Sequence, residues 1–245
     1  MRLAVLSDIH GNLHALNRCL DDLASRGGAD EIVVAGDLCL DGPKPRGVLE
    51  RLSEAGARCV RGNTDRMIGD TQGAQLDDED ARGVAWVREH IGETWTSWLN
   101  ALPASLAFGD DADGLFVCHA NPRSDDEHVW PDADDATLER LFGGVVQRTA
   151  AFGHLHLPYV RAWRERVLIN VSSAGLPKDG DPRAHYAILT RRPSGWEVQS
   201  RHVDFDVDKV ARQLRRSGIP DLGRRLRTLR KHRYAKLGKR GAVIP

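Results

Sequence analysis

Between residues 2 and 60 the chain alternates short apolar runs with stretches of helical spacing. Leu3–Ser7 reads as a brief buried strand. Asn12 can cap a helix running to about Arg26, with Leu13, Leu16 and Leu20 on one face and Gly27-Gly28 as its stop. EIVVAGD at 31–37 is a second strand that ends, like the first, in an acid. Pro43 and Pro45 open a further helix to about Ala55. RCV at 58–60 is a third strand, running into RGNTD. This βαβαβ order predicts a mainly parallel sheet with right-handed crossovers.

Farther along, residues 79–100 read as a helix, with Trp86, Trp95 and Trp98 as packing residues. LAFGDDADGLFVCH at 106–119 reads as a hairpin that delivers a histidine at its end. Residues 121–135 are polar and rich in turn formers, hence a long loop of the kind that carries function. ATLERLFGGVVQ is a short helix, and TAAFGHLH is a strand ending in histidines. YVRAW, RVLINV, HYAILTRR and WEVQSRHV then alternate like antiparallel strands and predict a second sheet. After Asp206 the pattern is helical and arginine-rich to about Lys236.

Composition narrows the class without naming a chemistry. Of 245 residues, 41% are hydrophobic and 29% charged, which argues for a folded chain rather than a disordered one. No apolar run approaches the roughly 18 residues of a membrane span. The apolar stretch in MRLAVLSD is too short for a signal peptide and an acid interrupts it, so a cytoplasmic protein is expected. Cys19, Cys39, Cys59 and Cys118 form no C-x-x-C pair and fit reduced, buried thiols. The net charge is zero but unevenly spread. Residues 201–245 hold fourteen Lys and Arg against four Asp and Glu, a net +10 balanced by −10 on the rest. The expected organisation is therefore one domain over 1–205 and a basic helical extension over 206–245 packed on it. The run RRLRTLRKHRYAK at 224–236 is compatible with nucleic-acid binding, but Leu226 and Leu229 fit a plain amphipathic helix, and that reading is favoured.

The chemistry enters where the strands end. Asp8 and His10, Asp37, Asn63, His119, and His154 with His156 each follow an apolar run. Sites form at the carboxyl edge of an open α/β sheet. Residues two apart on a strand face the same side, so D-x-H and H-x-H would each supply two converging ligands. Two aspartates, four histidines and one asparagine exceed what one closed ion takes, and suit two divalent ions sharing a carboxylate. Mixed nitrogen and oxygen donors fit Mn first, with Fe, Zn, Ni or Co as alternatives.

SDIHGN (7–12), AGDL (35–38), RGNTD (61–65), VCHA (117–120) and FGHLH (152–156), in this order, resemble the calcineurin-like metallophosphoesterase family and its small prokaryotic phosphodiesterase branch. The resemblance spans about residues 2–190. It implies an α/β fold, a two-sheet mixed β-sandwich flanked by helices. It implies that Asp8, His10 and His156 hold one ion, that Asn63, His119 and His154 hold the other, and that Asp37 bridges them. The implied activity is metal-dependent hydrolysis of a phosphodiester or phosphomonoester by an activated water, with a small phosphoester or nucleotide as substrate. No G-x-S-x-G or C-x₅-R nucleophile motif competes with that reading.

One departure stands out. Many members carry a histidine after G-N, as a leaving-group acid; here Thr64 takes its place, followed by Asp65. Asn63 and Asp65 stay as candidate catalytic residues. His14 and His128 are substitute proton donors, with solvated surface positions as the plainer alternative. Arg123 and His128 are candidate substrate contacts, although Arg123 fits a surface ion pair equally well. The lost histidine also leaves open a phosphatase acting on phosphoproteins or nucleotides, or a silent metal- or nucleotide-binding scaffold.

Overall fold

The computed structural model describes residues 1–70 and 76–232. β1 (Arg2–Leu6), α1 (Leu13–Ser25), β2 (Glu31–Val34), α2 (Pro45–Glu54) and β3 (Arg58–Cys59) form the opening βαβαβ unit. Its strands pair in parallel, β1 with β2 and β2 with β3. α1 starts as its sequence dictates: the Asn12 side chain accepts the Ala15 N–H at 3.1 Å. α3 (Asn63–Gly69) and α4 (Asp78–Asn100) follow, and α4 breaks at Gly92, whose φ is +78°.

β4 (Ser105–Phe108) and β5 (Leu115–Cys118) make the expected hairpin. After α5 (Asp135–Phe142) come β6 (Thr149–Phe152), β7 (Pro158–Trp163), β8 (Arg166–Val171), β9 (Ala184–Arg192) and β10 (Gly195–Val203). The last four strands do not build a sheet of their own, which corrects the sequence reading. They divide in pairs: one sheet runs β10-β9-β1-β2-β3 and the other β4-β5-β6-β8-β7. The reason is edge completion. β1 and β6 each have one side open after the parallel pairing, and β9 and β8 fill them.

The period-two alternation of strand side chains sorts the core into layers. Leu3 and Val5 point between the sheets, with Val33, Val117, Ile169 and Leu189. Ala4 and Leu6 point outward, under α1, α2 and α4. On the far side, Phe152 and Leu168 pack against Leu138, Leu141 and Phe142 of α5. The architecture is thus helix, sheet, sheet, helix. Burial on both faces explains why β1 and β2 read as continuous apolar runs.

α6 (Val207–Ser217) and α7 (Leu222–Lys231) form the basic extension, interrupted at Gly218 rather than continuous. Val210, Ala211, Leu214, Ile219 and Leu229 are buried in the same cluster as α1, α2 and α4. The part of the basic run beyond residue 232 lies outside the described residues. All four cysteines are free and buried. No helix among the described residues is long and apolar enough to cross a membrane.

Candidate metal centre

Seven buried side chains meet where the carboxyl ends of β1, β2, β3, β5 and β6 converge. Two tight groups stand out: Asp8, His10 and His156, and Asp37, His119 and His154. In the first, His156 Nε2 lies 3.1 Å from Asp8 Oδ1 and 3.2 Å from His10 Nε2. In the second, His119 Nε2 lies 3.2 Å from His154 Nδ1 and 3.0 Å from Asn63 Oδ1. Asp37 stands between them, with Oδ2 3.7 Å from His10 Nε2 and Oδ1 3.4 Å from His119 Nε2.

The local backbone differs from the strand-alternation argument. Asp8, His10, Asp37, His154 and His156 all lie past their strands, with φ between +48° and +63°. Left-handed turns, not strand pleats, aim these side chains inward. Such conformations cost roughly 1–3 kcal/mol each outside glycine, and persist only where the surroundings enforce them. The glycines of the motifs have their own task. A Cβ on Gly62 would sit 2.2 Å from Asp37 Oδ1, and one on Gly153 would sit 1.9 Å from Ser7 Oγ and 2.3 Å from Asp8 Oδ2.

Every histidine is oriented from behind. The outer ring nitrogens of His10, His119, His154 and His156 meet the carbonyls of Leu40, Ala35, Asp126 and Leu176. A carbonyl accepts, so each outer nitrogen carries the proton and each inner nitrogen presents a lone pair. The inner nitrogens then face one another and the carboxylates as acceptors without donors. Asp8 Oδ1 has no hydrogen-bond partner at all, while Oδ2 accepts the His154 N–H at 2.8 Å. An acceptor-only cage this buried calls for cations, and its nitrogen and oxygen donors fit divalent transition metals. Electrostatics agree. Burial opposes charge on His10, yet Asp8 and Asp37 outweigh it and lift its pKa to about 9. Burial, reinforced by Lys178, drops His156 to about 4.

Asp65 is fully buried and does not face the cage. Its Oδ2 accepts the N–H groups of Asp37 and Gly62 at 2.8 and 3.0 Å, and Oδ1 accepts that of Leu38 at 2.9 Å. It therefore positions the Asp37 loop, a role the sequence reading missed. Thr64 lies beside Asp37, donating its N–H to Oδ1 at 3.0 Å, and its buried hydroxyl has no partner.

The two proposed proton donors separate. His14 is turned away on α1: its ring meets Phe205 edge-on and its Nε2 accepts the Asp206 N–H. His128 reaches the cage, with its ring centroid 4.3 Å from that of His154 and its other neighbour Trp130. Arg123 is exposed on the same loop, which Asp126 anchors to His154. The acid beside it, Asp125, pairs instead with Arg66 at 2.7 Å.

A third cluster of metal-ligand types, Asp181, His185 and His202, lies outside this centre. There the cation is already supplied by protein. Arg183 Nε donates to both Asp181 oxygens at 3.0 Å, and its Nη2 lies 3.2 Å from His202 Nδ1.

Paired mixed sheets with a histidine–carboxylate cage at the strand ends define a metal-dependent hydrolase. A family model described as the calcineurin-like phosphoesterase superfamily domain matches residues 1–193, and the chain belongs to that superfamily. An uncharacterized protein of Methanocaldococcus jannaschii is 27% identical over 243 residues, covering 91% of this chain and 96% of that protein. The crystal structure of a metallophosphoesterase from Sphaerobacter thermophilus superposes with a TM-score of 0.76 at 28% identity, covering 94% of this chain and 100% of that one. A hypothetical protein of Pyrococcus horikoshii OT3 shares the fold, with a TM-score of 0.79 at 19% identity and coverage of 93% and 97%.

Proposed function

We propose that the protein is a phosphodiesterase that works with two divalent ions, manganese first among them, on a small phosphoester or nucleotide. Asp8, His10 and His156 would hold one ion, Asn63, His119 and His154 the other, and Asp37 would touch both. The observation that carries this reading is the placement of Asp37, whose two oxygens face the two histidine groups separately. Bound ions of this kind lower the pKa of water and neutralise charge on phosphate oxygens.

The remaining tasks fall to the chain's own groups. Carbonyls behind the four imidazoles fix their tautomers before substrate arrives, so little reorganisation is needed at reaction. The free Thr64 hydroxyl is a donor for a phosphate oxygen or a water beside Asp37, and it cannot act as a general acid. His128 is the imidazole outside the cage that touches it, and it is assigned the proton for the leaving group. Arg123, exposed on the same loop, is assigned a phosphate oxygen. The intact cage favours an enzyme over a silent scaffold, whose fold would gain nothing from an acceptor-only core.

Hydrolysis of bis(p-nitrophenyl) phosphate by Mn²⁺-loaded protein tests the reading. The expected result is turnover that Asp37→Asn abolishes. Absence of turnover in folded protein loaded with Mn²⁺, Fe²⁺, Zn²⁺, Co²⁺ or Ni²⁺ would refute it, and an unchanged rate in Asp37→Asn would remove the shared ligand.

A further inference from the structure

A cavity of about 430 Å³ opens beside the cage, where the main body meets α7. His10 and Asn12 form its inner wall, and Lys178, Arg225, Arg227 and Lys231 line it with positive charge. Arg224, Arg227, Thr228 and Lys231 recur three and four residues apart, so one face of α7 is turned to it. The carboxylate among the lining residues is Asp41, and Arg224 and Arg225 share it, each with Nη2 3.4 Å from Oδ1.

Arg225 is the unusual member. Its side chain is 2% exposed, yet Nε and Nη1 donate to nothing among the described residues. A buried guanidinium with two orphaned donors is costly unless an anion completes it. The fold also makes room for it. A Cβ on Gly83, in the middle of an α4 turn, would lie 2.6 Å from Arg225 Nη2. Glycine is a poor helix former, so its presence there fits a notch kept open for the arginine.

We propose that this cavity is a subsite for the phosphates of an oligophosphate chain that do not react, an inference that rests on the phosphoesterase reading of the neighbouring cage. Shared access through His10 makes the cavity continuous with the site where one phosphate would be cleaved. A single phosphate has no need of a second cationic chamber; a chain of two or more reaches into it. The walls contain no Phe, Tyr or Trp to stack on a base, so the chemistry selects phosphate groups. The chain comes either from an inorganic oligophosphate or from a nucleoside polyphosphate. The basic extension thereby becomes a specificity element of the same site.

Isothermal titration of the full chain, held free of metal by EDTA, tests this without relying on turnover. Tripolyphosphate is expected to bind at least roughly tenfold more tightly than inorganic phosphate. Arg225→Gln is expected to weaken tripolyphosphate about tenfold, and Arg227→Gln, at an exposed position safe for folding, several-fold. Arg230→Gln, exposed on α7 but outside the cavity and paired with Asp208, is expected to change nothing. Tighter binding of ATP than of tripolyphosphate would support the nucleotide source, and the reverse order the inorganic one. Equal affinity for phosphate and tripolyphosphate would overturn the proposal, as would equal losses in Arg225→Gln, Arg227→Gln and Arg230→Gln. Bis(p-nitrophenyl) phosphate, with its single phosphate, reports on the cage alone. Its turnover without tripolyphosphate binding would reject the subsite and keep the phosphoesterase reading.

Discussion

Replacing Asp65 by alanine isolates how the Asp37 loop is held. Three backbone N–H groups, from Asp37, Leu38 and Gly62, lose their acceptor inside a region where Asp65 is fully buried. Orphaned donors cost about 2 kcal/mol each, so the loss is about 6 kcal/mol. Part is offset. Burial, with the charge of Asp37, pushes the Asp65 carboxyl up to about 6, so holding it ionised at pH 7.5 costs about 3 kcal/mol that alanine does not incur. The net loss is about 3 kcal/mol. Because the Asp37 N–H is one of the three donors, the bridging carboxylate also drifts, and Mn²⁺ affinity falls by roughly 10- to 100-fold. Urea unfolding in EDTA at pH 7.5 measures the first effect and calorimetric Mn²⁺ titration the second. Stability within 1 kcal/mol of wild type together with unchanged Mn²⁺ affinity would refute this reasoning.

Other perturbations test separate parts of the account. Gly153→Ala forces a Cβ onto Ser7 Oγ and Asp8 Oδ2, so soluble protein from this variant should bind fewer than two Mn²⁺ per chain by elemental analysis. His128→Gln should slow cleavage of a methyl phenyl-type ester with a poor leaving group by roughly 100-fold or more, and leave p-nitrophenyl release nearly unchanged. Asp22 accepts from Arg26, Tyr186 and Arg201, and burial is outweighed by these partners, which lower its pKa to about 2. Its contribution is complete above about pH 4 and disappears as pH falls through 2. Asp22→Asn should therefore lose about 1 kcal/mol at pH 7, after allowance for solvent screening, and match wild type near pH 2 in urea titrations.

The parallel core of the fold was legible because β1 and β2 are buried on both faces and flanked by capped helices. Asn12 and Pro45 mark helix starts through purely local chemistry. The partners of β7 to β10 were not legible, since antiparallel patterning says nothing about which sheet has an open edge. α3 was missed because NTDRMIG starts inside a ligand motif and is too short for a periodic signal. The seven cage residues were readable from glycine and strand-end context. The reason given for their convergence was not, because positive φ at Asp8, His10, His154 and His156 is a tertiary fact. Asp65 acts through backbone groups, and Arg225 through Asp41 and Gly83, which are far away in sequence. His14 illustrates the opposite error: one helical turn from His10 placed it near the cage on paper, while α1 carries it to Phe205.

The central claim is that phosphoester cleavage depends on two ions held around Asp37. Titrating metal-free protein with Mn²⁺ while following bis(p-nitrophenyl) phosphate hydrolysis tests it most directly. The account predicts no turnover without metal, activity that rises until two equivalents are bound, and loss of activity on chelation. Full activity in metal-free protein, or saturation with two ions and no hydrolysis, would contradict it.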